Sequence, residues 1–370
     1  MTTPGSPEVQ NLRMTRSGEA AALPVAGATL TTRRAESDAV YLSLGAGAIG
    51  GLYGLLVALL VPALGLGGDA PFAPFAAVGS AIVAAVASTL GYWRARDRPG
   101  QEWRRELPPW KYIVNTVSVV IVHAVLAFLA TFALYRVLAA GFIGLPVIPF
   151  WAVVLMAVTL GLTVYITYLS AAHMGTQRMS TLLMAFVVIG VLTSMVTSPD
   201  PQWWRVHFSH LGTFADTSSQ IFNGTLIAGG LLVTTFAVYI SHDMSELVQR
   251  GVLTKARAPR VVSTLFVVMG IMLAGVGIFP FHTNPVLHNV SASGMAAMYL
   301  VLLFSGPSLL RGMPRTYFVV SWVYAGATLA SLALFVVGYF SLTAFEIIVF
   351  ALVFGWIAVF IRFLGVTSPS

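Results

Sequence analysis

The chain has 370 residues, of which 57% are hydrophobic and only 9% charged, with a formal net charge of +7 and no cysteine. About a quarter of the residues in an ordinary soluble domain are charged, so this composition excludes that class. The lack of cysteine excludes disulfides, thiolate catalysis and cysteine-ligated metal centres.

The first 38 residues are rich in Ser, Thr, Ala, Gly and Pro and contain four arginines. No apolar run in this segment precedes a cleavage site, so it does not have the organisation of a secretory signal peptide. Its composition predicts a disordered cytoplasmic tail over residues 1–38.

Apolar runs of about 20 residues then recur along the chain, and each is long enough to cross a hydrocarbon core of roughly 30 Å as a helix. The sequence therefore predicts an all-α fold, a polytopic transmembrane helix bundle. We expect ten spans, near 39–66, 72–93, 112–139, 147–171, 180–198, 222–241, 260–279, 286–308, 316–340 and 344–362.

The basic residues are distributed unevenly between the connections. Of the 20 Lys and Arg residues, 18 fall on one side of the predicted bundle, and only Arg136 and Arg205 do not. The positive-inside rule then predicts a cell (inner or plasma) membrane protein with both termini in the cytoplasm. The positive charge is explained by topology, so no nucleic-acid partner is expected.

A polar stretch, FSHLGTFADTSSQIFN (208–223), joins the fifth and sixth spans on the predicted outer side. If it is helical, five polar residues recur at steps of four and three and share one face. These residues are Ser209, Thr213, Asp216, Gln220 and Asn223. The stretch is predicted to be a short helix that enters the membrane at Asn223.

Asp216 lies in the middle of this polar face. Its carboxylate is a candidate general base, cation ligand or lipid-headgroup contact, since an ionisable group near the membrane needs a partner or a role. The alternative is a helix-joining ion pair with Arg136 or Arg205.

Histidines cluster on the same predicted side, at His207, His210, His282 and His288. Asn284 followed by Pro285 predicts a helix N-cap and first position, which places His288 in the first turn. A neutral imidazole there suits proton acceptance or metal binding, and the alternative is a hydrogen bond to loop backbone. Zinc held by His210, His282 and His288 is the only cofactor considered, and it lacks a recognised ligand spacing.

Glu346 follows Thr343 by three residues at the start of the last span. This is the spacing of a capping box, so the sequence favours a structural role for Glu346 at its own helix.

Several short motifs resemble the bacterial integral-membrane family known as domain of unknown function 998. They are FSHLG, an Asn at the start of the next helix, and GVGIFPFHTNPVLHN two spans later. The matching positions are Ser209, Leu211, Gly212, Asn223, Gly277, Phe279, Pro280 and His288. The position between Ser and Leu, acidic in the family pattern, is His210 here.

The resemblance implies a six-helix core over residues 180–362 preceded by a four-span addition over residues 39–175. The family is distantly similar to eukaryotic six-helix membrane proteins linked to lipid-anchor remodelling and lipid organisation. It therefore implies a lipid-handling or accessory role in the cell envelope, with membrane lipids as partners. The expected pocket combines the polar face with three histidines and one arginine: Arg136, Ser209, His210, Thr213, Asp216, Gln220, Asn223, His282 and His288.

Two other functions remain open from the sequence. One is a metal-assisted hydrolase or transferase with Asp216 as base, His288 among the metal ligands and Ser209 contributing a hydrogen bond. The other is a structural subunit that binds a membrane-protein partner or a second copy of the chain.

Overall fold

The computed structural model describes residues 7–98, 101–213 and 216–366. Within them the long regular elements are ten α-helices. In chain order these are α1 (Pro7–Leu60), α2 (Ala73–Ala95), α3 (Pro109–Gly141), α4 (Pro149–Ala172), α5 (Thr176–Thr197), α6 (Thr217–Gln249), α7 (Ala258–Ile278), α8 (Pro285–Leu309), α9 (Arg315–Val336) and α10 (Leu342–Val366).

All ten helices contain a segment long and apolar enough to cross a membrane, which confirms the ten predicted spans. The first span, Arg33–Leu60, is only the second half of α1. The prediction of a disordered tail differs from the structure, in which α1 is helical from Pro7 onward. Residues 1–6 lie outside the described part. The Ala, Glu and Arg residues around position 35 favour helix, so no break separates tail from span.

The helices pack in two groups that share a seam. In the first group α1 packs on α4, and α2 packs on both α3 and α4. In the second group α6 lies between α5 and α7, α7 packs on α8, and α9 pairs with α10. The seam forms where α3 meets α5 and α6, so the central helix α6 touches both groups.

Glycines bring α6 and α7 into backbone contact. A Cβ atom added to Gly230 would lie 2.6 Å from the amide nitrogen of Ala274, and one added to Gly270 would lie 2.6 Å from the carbonyl oxygen of Gly230. Small residues permit this close approach, which is a common way for helices to associate in membranes. The backbones of α6 and α7 are therefore in direct contact at these two glycines.

Candidate functional site

The polar stretch between α5 and α6 is not a single helix. A 3₁₀ helix covers Phe208–Gly212, and α6 begins at Thr217 with Asp216 as its N-cap. The predicted single polar face is therefore wrong, as is the predicted helix start at Asn223, which lies in the second turn of α6. The chain turns at Asp216 because an N-cap residue adopts an extended backbone.

Asp216 acts as a helix cap. Its Oδ1 accepts hydrogen bonds from the backbone nitrogen of Ser219 at 2.9 Å and from the hydroxyl of Ser218 at 3.1 Å. Among the ion pairs of the described residues, none joins Asp216 to Arg136 or Arg205, and both arginines are exposed. The carboxylate therefore caps the N-terminus of α6. The sequence had predicted either a functional contact or an ion pair with an arginine, and neither included this cap.

The 3₁₀ helix is tied to α6 by two hydrogen bonds. Asn223 donates from Nδ2 to the carbonyl of Gly212 at 3.0 Å, and the Ser219 hydroxyl donates to the carbonyl of Leu211 at 3.0 Å. On the other side of Asn223, a Cβ atom on Gly277 would lie 2.5 Å from the Asn223 carbonyl oxygen. Gly277 is thus small enough for α7 to pack directly against this junction.

Glu346 holds the start of the same 3₁₀ helix. Its Oε2 accepts a hydrogen bond from the amide of Phe208 at 2.6 Å, and the Ser209 amide also bonds to the carboxylate. The predicted capping box is wrong, because the buried Thr343 hydroxyl has no partner among the described residues and Glu346 caps a segment 138 positions away. Glu346 is an acidic residue at the start of an apolar span, and such a residue needs a partner. This sequence feature could have indicated a partner on another segment.

His288 lies where it was predicted, in the first turn of α8. Asn284 caps this helix through a hydrogen bond from the Leu287 amide at 3.0 Å, which confirms the predicted N-cap. The His288 ring is 4% exposed, and its Nδ1 lies 2.9 Å from the carbonyl oxygen of Phe279. Nδ1 therefore carries the proton of the neutral ring, and Nε2 carries the lone pair.

His207 is the neighbour of His288 across Phe281. Its ring centroid lies 4.6 Å from that of Phe281, which in turn lies 5.8 Å from the ring of His288. The side chain is 8% exposed and forms no hydrogen bond with any residue that the structure describes. Burial lowers the pKa of His207 to about 4, helped by the nearby His210 and His288, so the ring is neutral at physiological pH.

These groups surround one end of a cavity of about 610 Å³, a size typical of ligand sites. Its polar end is formed by His207, Ser209, His288, Asn289 and Glu346. The rest of the wall is mostly apolar, with Ser293 and Thr328 as further polar residues, and comes from α6, α7, α8, α9 and α10. The cavity thus has the shape of a site for a molecule with one polar end.

Of the nine residues predicted to form a pocket, the cavity wall includes Ser209 and His288. His210 instead lies beside Asp200 and Thr213, at 3.7 and 3.2 Å, and His282 is exposed. The remaining five are at the exposed surface or in the helix junction: Arg136, Thr213, Asp216, Gln220 and Asn223. His207 and Glu346 belong to the cavity although they were not in the predicted set.

The structure does not assemble the metal site considered from the sequence. No group of three or more His, Asp or Glu side chains in the described part of the chain is arranged to hold a metal ion. His282 is exposed on its loop, while His288 is buried with Nδ1 against the carbonyl oxygen of Phe279.

Residues 181–362 match a family model described as Protein of unknown function (DUF998). The match begins within α5 and ends within α10. The match covers six of the ten helices, as the sequence motifs predicted. Comparisons with curated proteins and with solved structures found no match.

Five of the eight positions that carried the family resemblance, far apart in the chain, lie at or beside the polar end of the cavity. Ser209 and His288 line it, while Gly212, Asn223 and Gly277 form the junction that supports it. These positions therefore belong either to the cavity wall or to the helix junction beside it.

The stability of this end should depend on the protonation of His207. Because the folded state lowers the pKa of His207 below that of an ordinary histidine, the unfolded state binds the proton more strongly. The free energy of unfolding should be unaffected above about pH 6.5 and fall between about pH 6.5 and pH 4. We expect the free energy of unfolding to decrease by about 1–2 kcal/mol over this range. This is less than the full pKa difference implies, because the His207 ring borders the cavity.

The measurement is the unfolding midpoint of the purified protein across this pH range. His207→Gln should flatten the pH dependence, whereas His282→Gln, at an exposed histidine on the neighbouring loop, should leave it unchanged. An equal dependence of the unfolding midpoint on pH in the wild-type protein and in His207→Gln would contradict the prediction.

Proposed function

We propose that this multi-pass membrane protein binds a membrane lipid or a similar amphiphile in the cavity. The observation that carries the proposal is the division of the cavity into one polar end and a long apolar wall. A lipid has the same division, and burial of its chains against apolar side chains supplies the dispersion contacts that favour binding.

Exposed residues of α8 and α9 in the cavity wall support entry from the bilayer. On α8 the exposed residues Ser293 and Ala297 border the cavity, and on α9 Leu329 and Leu332 are 49% and 44% exposed while also bordering it. A lipid would therefore enter sideways at these two helices, without leaving the hydrocarbon region.

The chemistry of the polar end selects among headgroups. It contains the Glu346 carboxylate, the neutral His207, the His288 lone pair and the Ser209 hydroxyl, and the lining includes neither Lys nor Arg. Each of these groups can accept a hydrogen bond, although the neutral His207 ring and the Ser209 hydroxyl can also donate one. A phosphate next to Glu346 would meet a like charge without a compensating cation. The site therefore suits a headgroup that donates hydrogen bonds, such as a hydroxyl or an amine.

The proposal also includes the orientation of the protein in the membrane. The uneven distribution of Lys and Arg supports cytoplasmic termini, so the Phe208 end of the bundle would face the outside of the cell. The headgroup would then lie at the depth of the outer leaflet.

A cavity-filling substitution tests the proposal. Ala292→Phe places a ring inside the cavity and should weaken binding of dioleoylglycerol at least about tenfold, measured in nanodiscs of phosphatidylcholine. Ala330→Phe, at an exposed position of α9 outside the cavity, is the matched control and should bind like wild type.

Dioleoyl phosphatidic acid, which has the same chains and a phosphate in place of the hydroxyl, tests the headgroup. It should bind more weakly than dioleoylglycerol in the wild-type protein. Unchanged diacylglycerol binding in Ala292→Phe would exclude the cavity as the site. Equal affinity for the two lipids would contradict the headgroup assignment.

A further inference from the structure

A second polar cluster lies at the opposite end of the bundle, where the connection between α2 and α3 folds over α6. A 3₁₀ helix at Glu102–Arg105 places the Trp103 ring against α6, stacked on His242 at 4.3 Å and edge-on to Tyr239 at 5.0 Å. The α2–α3 connection therefore packs against α6, and the residue after Trp103, Arg104, is buried.

Arg104 is buried with an unpaired charge. Its side chain is 1% exposed, and the guanidinium carbon lies 4.7 Å from the ring centre of Tyr92 and 5.3 Å from that of Tyr239. One terminal nitrogen donates to the carbonyl of Met174. The other terminal nitrogen and Nε are buried without a hydrogen-bond partner, and no ion pair joins Arg104 to an acidic group of the described residues.

Two further buried polar atoms without partners lie on the adjoining face of α3. They are the Tyr112 hydroxyl and Nδ2 of Asn115, one helical turn apart. The Tyr112 ring centre is 5.8 Å from that of Tyr92, the ring on which Arg104 lies. Arg104, Tyr112 and Asn115 thus carry four unpartnered atoms that are able to donate hydrogen bonds, and the rings of Tyr92 and Tyr112 connect the arginine to this face of α3.

The acidic groups of the surrounding segments do not pair with Arg104 in the described structure. Asp243 accepts a hydrogen bond from Thr176, Glu246 pairs with His242 at 3.2 Å, and Asp97 pairs with Arg105. Glu102 and Glu106, in the same connection as Arg104, are exposed. Buried donors in folded proteins are almost always satisfied, and a buried guanidinium needs an anionic partner even more strongly. The chain itself does not provide that partner within its described residues.

We propose that Arg104, Tyr112 and Asn115 form a binding site for a phosphate group. A guanidinium presents its N–H donors in a fork that matches the oxygens of a phosphate, and the two α3 side chains add donors for a third oxygen. The phosphate comes either from a lipid headgroup of the adjacent leaflet or from free phosphate. The bound group connects α3 to the segment that packs on α6, so its presence stabilises the seam between the two helix groups.

The test compares the full chain with two arginine variants in phosphatidylcholine nanodiscs. The unfolding midpoint is measured with inorganic phosphate against chloride at equal ionic strength, and again in nanodiscs that contain phosphatidylglycerol. A ligand that binds only the folded state raises the midpoint. Arg104→Gln should abolish the rise, whereas Arg105→Gln, whose side chain is exposed one position away, should retain it.

Each outcome decides the proposal. A rise with inorganic phosphate identifies a free-anion site, and a rise only with phosphatidylglycerol identifies a headgroup site. No rise in the wild-type protein in either arm, or an equal rise in Arg104→Gln, overturns the proposal. If Arg104→Gln does not fold, Asn115→Leu keeps the arginine and should weaken the effective phosphate or lipid affinity about tenfold. An unchanged affinity in that variant also overturns it.

Discussion

Gly230→Ala is expected to lower the free energy of unfolding by about 3 kcal/mol, because the added methyl group meets backbone that cannot move aside. Its Cβ would lie 2.6 Å from the amide nitrogen and 2.8 Å from the Cβ of Ala274, as well as against the carbonyl oxygen of Gly270. Both helices would have to separate, and α6 contacts both groups of helices. Unfolding of the purified protein in a mild detergent, followed by denaturant titration, measures the change.

Gly224→Ala is the matched control on the same helix. An added Cβ at Gly224 meets no atom within 4 Å, so this variant should change stability by no more than about 1 kcal/mol and in the favourable direction. Similar losses in the two variants would contradict the assignment of the effect to the α6–α7 contact.

Glu346→Ala is expected to have a comparable effect at the cavity, lowering the free energy of unfolding by about 2–4 kcal/mol. The substitution leaves the buried amides of Phe208 and Ser209 without their acceptor, and each unsatisfied amide costs about 1–3 kcal/mol. The 3₁₀ helix that carries Ser209 would also lose its anchor on α10. The expected second result is weaker diacylglycerol binding, measured as for Ala292→Phe.

Two companion variants separate this role from a helix cap. Glu346→Gln keeps a carbonyl oxygen in place and should recover most of the stability. Thr343→Ala should cost little, since the Thr343 hydroxyl has no partner among the described residues, although a capping box would require it. A large loss in Thr343→Ala together with a small one in Glu346→Ala would restore the capping-box interpretation.

The two proposed sites differ in charge as well as position. The cavity at the Phe208 end combines a carboxylate with neutral histidines, whereas the cluster at Arg104 contains an unpaired cation and uncharged donors. A headgroup that donates hydrogen bonds suits the first site, and a phosphate suits the second. A lipid mixture that includes both types of headgroup should therefore stabilise the protein at two independent places.

The sequence by itself determined the ten spans, the cap of α8 and the position of the six-helix DUF998 core. Each of these depends on local information: the length of an apolar run, an Asn-Pro pair, or a short motif. The sequence resemblance also grouped Ser209 and His288, which are distant in the chain, and both line the cavity.

Only the tertiary structure decided which polar groups meet. Asp216 caps α6 and the helical face through Ser209 and Asn223 does not exist, because Ser209 lies in a 3₁₀ helix that is separate from α6. Glu346 reaches Phe208 across 138 positions, and Arg104 reaches the rings of Tyr92 and Tyr239 on two other helices. Periodicity and hydropathy describe neighbours along one helix. The partner of a buried polar group is set by which helices pack together, so it appears only once the bundle is folded.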